Sequence, residues 1–202
     1  MKKIIIFSLI GIFLILILAF NTAGEKESID IPVKNNGGNM EKIEISVKKY
    51  GVIKLELDSK EAPITVENFV KLVKDGFYDG LTFHRIIDGF MIQGGDPNGN
   101  GTGGSEEKIK GEFKNNGVNN TIEHKRGVIS MARSMDKDSA RSQFFIVHQD
   151  SQFLDGDYAA FGYVIEGMEV VDKIVENSIV EDGNGTVLKA NQPVIEYIKV
   201  ID

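Results

Sequence analysis

The chain has 202 residues, 42% of them hydrophobic and 26% charged, with a formal net charge of −7. That length holds one sizeable domain plus an extension, and that composition excludes a chain disordered throughout. With no cysteine, disulfide frameworks, thiolate zinc sites and thiol nucleophiles are excluded; an acidic balance without a Lys/Arg cluster argues against nucleic acid as a partner.

Met1-Lys2-Lys3 precedes an apolar run from Ile4 to Phe20, broken only by Ser8 and Gly11. Two lysines before such a run fit a Sec-type signal whose positive end stays in the cytoplasm. Ala23 offers a cleavage residue, but Asn21 before it fits poorly, so residues 1–23 read as either a cleaved signal peptide or a signal anchor. Both readings put the rest of the chain outside the cytoplasm. Residues 24–40, with Glu-Lys-Glu-Ser and Asn-Asn-Gly-Gly, read as a flexible tether. The folded unit is expected from Glu41 to Asp202, as a monomer.

Strand patterns dominate that unit. Ile43–Val47 alternates, Tyr50-Gly51 turns the chain, and Val52–Leu57 alternates again. Pro63 and Thr65 open a helix in which Val66, Phe69, Val70 and Val73 recur at helical spacing, and Gly76 ends it. Short apolar segments follow at 127–132, 143–148, 159–164 and 194–200, separated by Gly, Asn and Asp. A second helix is expected over Met168–Glu176, with Val170, Val171, Ile174 and Val175 on its apolar side. Many short strands, two helices and 22 glycines point to an antiparallel barrel or sandwich.

The most informative stretch runs from Phe83 to Asp96, Phe-His-Arg-Ile-Ile-Asp-Gly-Phe-Met-Ile-Gln-Gly-Gly-Asp. Arg85 and Gln93 sit among large apolar residues, and a buried, unpaired guanidinium is strongly unfavourable. Arg85 therefore needs partners or a partly open groove. A strand carrying Phe90 and Met91 beside a fixed cation makes an apolar surface with one aimed donor, which describes a ligand site.

Three more blocks follow in order: Gly-Val-Ile-Ser-Met-Ala (127–132), Ser-Gln-Phe-Phe-Ile (142–146) and Phe-Leu-Asp-Gly-Asp-Tyr-Ala-Ala-Phe-Gly (153–162). Together with Thr65-Val-Glu-Asn-Phe69, these blocks resemble the cyclophilins, the cyclosporin-sensitive class of peptidyl-prolyl isomerases, over residues 41–202. The resemblance implies a closed eight-stranded antiparallel β-barrel capped by two α-helices, with the active groove on its outer surface. It makes Arg85 the catalytic residue and Phe90, Met91, Phe145 and Leu154 the wall of a proline pocket. Gln93 and Gln143 orient the arginine and the substrate backbone; Ala132 and Arg133 bind the substrate main chain. His84 falls at the groove's edge, and Tyr158 stands where many relatives carry histidine. Phe153 replaces a tryptophan of the cyclosporin-sensitive eukaryotic members, which removes an indole N–H donor.

The implied partners are proline-containing polypeptides, and the reaction requires no cofactor or metal because no bond is broken. The competing reading is a binding module that captures proline segments without turnover. Asp96, Asn98, Asn100 and Glu107 have the spacing of an EF-hand loop, but a strand-like run enters it and Gly103-Gly104 interrupts it, so it reads as a glycine-rich surface loop. His124 and His148 read as structural or solvent-facing.

Overall fold

The computed structural model describes residues 40–202. The N-terminal apolar run and residues 24–39 of the tether lie outside them. Strands β1 (Glu41–Val47) and β2 (Gly51–Leu57) form an antiparallel hairpin, and Lys49 adopts a φ of 71° at its turn. Period-2 alternation has its structural counterpart here: Ile43, Ile45, Ile53, Leu55 and Leu57 are fully buried.

Helix α1 (Pro63–Lys74) follows, with proline in its first turn, where the missing N–H costs nothing. Its own N-cap, Ala62, supplies no side-chain acceptor. The buried carboxylate of Glu112 does so instead, accepting from Ile64 N (3.1 Å) and from Thr65 N and Oγ1 (both 2.7 Å). Strands β3 (Phe83–Ile87), β4 (Met91–Gly94), β5 (Val128–Met131), β6 (Phe144–Val147) and β7 (Ala160–Glu166) come next. Helix α2 (Met168–Asn177) buries Val170, Val171, Ile174 and Val175, and β8 (Ile195–Ile201) ends the fold.

The eight strands make one antiparallel sheet in the order β3-β4-β6-β5-β7-β2-β1-β8. Its inner face and the helices enclose an aromatic core. Phe69 of α1 meets Phe144 edge-on at 5.5 Å between centroids and also contacts Tyr78 and Phe161.

The sheet is an open half-barrel, which corrects the closed barrel expected from the sequence. Its two edge strands form no ladder and approach only at their starts, through the bridge Thr82–Val194 and the bonds Phe83 N to Pro193 O (2.9 Å) and Ile195 N to Leu81 O (2.8 Å). The free edge of β3 is taken by another segment: Ile86 N donates to Gly185 O (2.8 Å) and Val187 N to His84 O (3.0 Å). That loop satisfies the edge that β8 would otherwise have filled. It also requires glycine at 185, where φ is 80° and a Cβ would lie 2.3 Å from Ile86 O.

Candidate active site

Both faces of β4 and β6 are apolar, because the sheet is covered on both sides here. Ile86, Ile92, Phe144 and Ile146 point into the core. Their alternating neighbours point outward, where Met91, Val128, Phe145, Val147, Leu154 and Ala160 form a second apolar cluster. Arg85 pairs with Gln93 across β3 and β4, and Gln93 with Phe145 across β4 and β6. One row of the pleat therefore carries a cation, an amide and an aromatic ring side by side on the outer face.

A groove of ≈ 360 Å³ lies over this row. Phe90, Met91, Phe145 and Leu154 line it together, with Arg85 and Gln93 beside them. His84, Ala132, Arg133 and Tyr158 complete the part foreseen from sequence. Phe90 is not on a strand, which corrects the expected Phe90–Met91 strand: it ends the three-residue loop Asp88-Gly89-Phe90 between β3 and β4. Gln143 lies in the adjoining cleft. Phe153 stays outside the groove lining, 73% exposed, with its ring 5.3 Å from that of Phe90.

A directed chain of hydrogen bonds fixes Arg85. Nε donates to Asn184 O at 2.8 Å, and Nη1 donates to Gln93 Oε1 at 3.2 Å. Gln93 Nε2 donates to Gln143 Oε1 at 2.9 Å, and Gln143 Nε2 donates to Gly103 O and Gly101 O at 2.7 and 3.1 Å. Nη2 keeps no partner among the described residues. Partial burial pulls the guanidinium below its ordinary pKa while Tyr158 and Asp182 oppose that shift, and arginine remains cationic at neutral pH. The result is a half-buried cation, held at two atoms, with donor capacity left over beside an apolar pocket.

Arg133 does not leave its guanidinium free for the groove. It donates from Nε to Asp157 O (2.9 Å) and lies 5.0 and 4.9 Å from the ring centroids of Phe113 and Tyr158. His84 is a buried wall of the groove, and neither of its ring nitrogens has a hydrogen-bond partner. Burial pushes its pKa down, with Asp96 opposing, which favours the neutral imidazole. His124 is buried behind Phe145, stacked on it at 6.1 Å, and its ring contacts Asp155 (2.8 Å) and Ser130 (3.0 Å).

Four groove features escaped sequence reasoning. Asn100, Gly101 and Thr186 line the groove, and Asn184 acts through its main-chain carbonyl. The turn signals were visible, but a turn does not announce which strand it will meet. Asp96, the first residue of the EF-hand-like spacing, organises the first of these loops by accepting from the N–H groups of Asn98, Asn100 and Gly101. Burial pushes its carboxyl up, but those three donors outweigh it and hold the pKa below the usual range.

The family model described as "Cyclophilin type peptidyl-prolyl cis-trans isomerase/CLD" matches residues 42–200. The chain belongs to this family. A peptidyl-prolyl cis-trans isomerase of Helicobacter pylori (strain ATCC 700392 / 26695) is 49% identical over 133 residues, covering 65% of this chain and 78% of the relative. Peptidyl-prolyl cis-trans isomerase B of Bacillus subtilis (strain 168) is 45% identical over 130 residues, 64% of this chain and 87% of its own. A crystal structure of a Cryptosporidium parvum cyclophilin-type isomerase, determined in the presence of the dipeptide Ala-Pro, superposes with a TM-score of 0.70. It is 31% identical and covers 80% of this chain and 99% of that one. This cyclophilin is thus an enzyme for rotation about X–Pro bonds, bacterial relatives included.

Proposed function

We propose that Arg85 is the catalytic group of this isomerase, and that the chain serves folding proteins outside the cytoplasm as a monomer held by, or released from, its N-terminal segment. Rotation about a peptide bond meets a barrier of ~18–20 kcal/mol because amide resonance is lost at the twisted state. As the carbonyl twists, the prolyl nitrogen pyramidalises and gains a lone pair. A donor aimed at that lone pair binds the twisted state better than either planar isomer, and such differential binding lowers the barrier.

The observation that carries this reading is the anchoring of Arg85 at Nε and Nη1 by Asn184 O and Gln93. Those two bonds fix the plane of the guanidinium before substrate arrives, so little reorganisation is needed during rotation. Phe90, Met91, Phe145 and Leu154 give the proline ring an apolar seat and thin out the water that would compete for the donor. Gln143, tied to the 101–103 loop, keeps Gln93 in the orientation that accepts from arginine.

Two variants separate seat from donor. Phe90→Ala is expected to weaken binding of an X–Pro peptide and to lower turnover, whereas Arg85→Ala keeps most of the binding. Isothermal titration with a short proline peptide reads the difference, and equal loss of binding in both variants contradicts the division of roles. The setting rests on Lys2, Lys3 and the Ile4–Phe20 run. Fractionation of cells expressing the full chain tests it, and recovery from the cytosol refutes it.

A further inference from the structure

We infer that His148, a buried residue outside the groove, is a positioning residue that holds Phe90 in place through Gly89, with Nδ1 as the acceptor. Phe90 stands in the loop 88–90, and a three-residue loop at the tip of a hairpin has no ladder of its own. Its fixing points converge on one neighbour. Phe90 O accepts from His148 N at 2.8 Å, and Gly89 N donates to His148 Nδ1 at 3.1 Å. Phe90 O also accepts a longer bond from Gln149 N at 3.5 Å, and within the loop itself Phe90 N donates to Ile87 O at 3.1 Å.

The Gly89 contact assigns the proton. An amide N–H donates to Nδ1 only if that nitrogen keeps its lone pair, so the neutral ring carries its hydrogen on Nε2. Nε2 faces the Asp172 carboxylate, 3.2 Å from Oδ1. Asp172 in turn accepts from Arg126 Nη2 at 2.7 Å, and Arg126 Nη1 donates to His148 O at 2.8 Å. The Arg126 guanidinium holds Asp172 below the usual carboxylate range, which keeps it an acceptor. The imidazole thus lies between the Asp172 carboxylate of α2, whose Oδ1 has no other hydrogen-bond partner, and Gly89, to which it turns the lone pair of Nδ1.

The charged groups around the ring come from every neighbouring element. Asp88 Oδ1 lies 3.6 Å from Nδ1 on the loop itself, Asp172 and Glu176 stand on α2, Arg126 precedes β5, and Asp150, which accepts from Arg126 N, follows β6. Protonation of Nδ1 removes the acceptor of Gly89 N and offers a proton to Asp88 instead. The contact that aligns the loop is exchanged for one to an exposed side chain, and Gly89, next to Phe90, loses its tie to the imidazole.

This inference rests on reading Phe90 as a wall of the proline pocket. KM and kcat are measured for an X–Pro peptide with the full chain, comparing wild type, Phe90→Ala, His148→Leu, His148→Gln and His148→Asn. Asparagine places its Oδ1 near the position of Nδ1 and can accept from Gly89, whereas leucine has no acceptor and glutamine carries its amide one bond farther out, near the position of Nε2. His148→Leu and His148→Gln are expected to raise KM about threefold to tenfold, the range of one net hydrogen bond, with kcat changed by less than about twofold. His148→Asn restores KM.

A KM unchanged by His148→Leu, or raised equally by His148→Asn, overturns the proposal while Phe90→Ala still raises KM. A KM unchanged by Phe90→Ala overturns the pocket reading and the proposal with it. Should His148→Leu fail to fold, the wild-type ring decides: long-range 15N NMR that finds the hydrogen on Nδ1 in the neutral form overturns the proposal, and a hydrogen on Nε2 supports it.

Discussion

At the scale of single residues, the guanidinium of Arg85 depends on an amide relay rather than on a carboxylate. Gln93 presents an oxygen to Arg85 and a nitrogen to Gln143, and Gln143 repeats the pattern toward the 101–103 loop. A neutral relay orients the cation without neutralising it, whereas a carboxylate at 93 would draw its charge away from the groove. Gln93→Leu keeps the volume but cuts the relay, so kcat is expected to fall about threefold to tenfold with the melting temperature little changed. Steady-state kinetics beside thermal melts check this, and an unchanged kcat contradicts it. The sequence made Arg85, Gln93 and Gln143 legible because a polar side chain in an apolar run is conspicuous. It could not show Asn184, whose contribution is a carbonyl that every residue type possesses.

At the scale of elements, what the sequence shows clearly is what alternates or repeats on its own. Strands β1 and β2 alternate, and both helices carry apolar residues at helical spacing. The β3–β4 hairpin was hidden because its strands carry large apolar residues on both faces around Arg85 and Gln93, and its turn, Asp88-Gly89, sits inside that run. The open edge was hidden for another reason. Closure depends on whether β8 or the 182–187 loop lies along β3, and that is a tertiary matter with no local signature. Helix α1 shows a similar long-range debt, since its cap comes from Glu112, more than 40 positions away from Thr65. Glu112→Ala strands the amides of Ile64 and Thr65 in a buried place. We expect a loss of about 2 kcal/mol, or roughly 6 °C in melting temperature for a domain of this size. Calorimetry would detect it, and a shift below about 1 °C would mean that water or another group caps the helix.

At the scale of the whole molecule, burial of imidazoles links the fold to acid. Burial holds His84 and His124 below the ordinary histidine pKa, with Asp96 and Asp155 respectively opposing. The native state therefore refuses protons that the unfolded chain accepts. Stability from these two groups is complete above about pH 6.5 and is lost as pH falls below it. Burial pushes Glu112 the other way, so its carboxyl holds a proton to higher pH in the fold and favours the native state in acid. Two groups against one predict a falling melting temperature from about pH 6.5 to about pH 5. Melts across that range check the sign, and a flat or rising curve contradicts it. The half-barrel matters at this scale as well. By leaving β3 unpaired with β8, it frees one edge for the loop that brings Thr186 to the groove and Asn184 O to Arg85.

The most direct measurement is protease-coupled isomerisation of a short X–Pro peptide by the full chain, wild type beside Arg85→Ala. A fold that keeps its pocket but loses its aimed donor should isomerise about 10²- to 10³-fold more slowly. Equal rates in the two folded proteins would contradict the role assigned to Arg85, and would leave the apolar groove alone to account for the rotation.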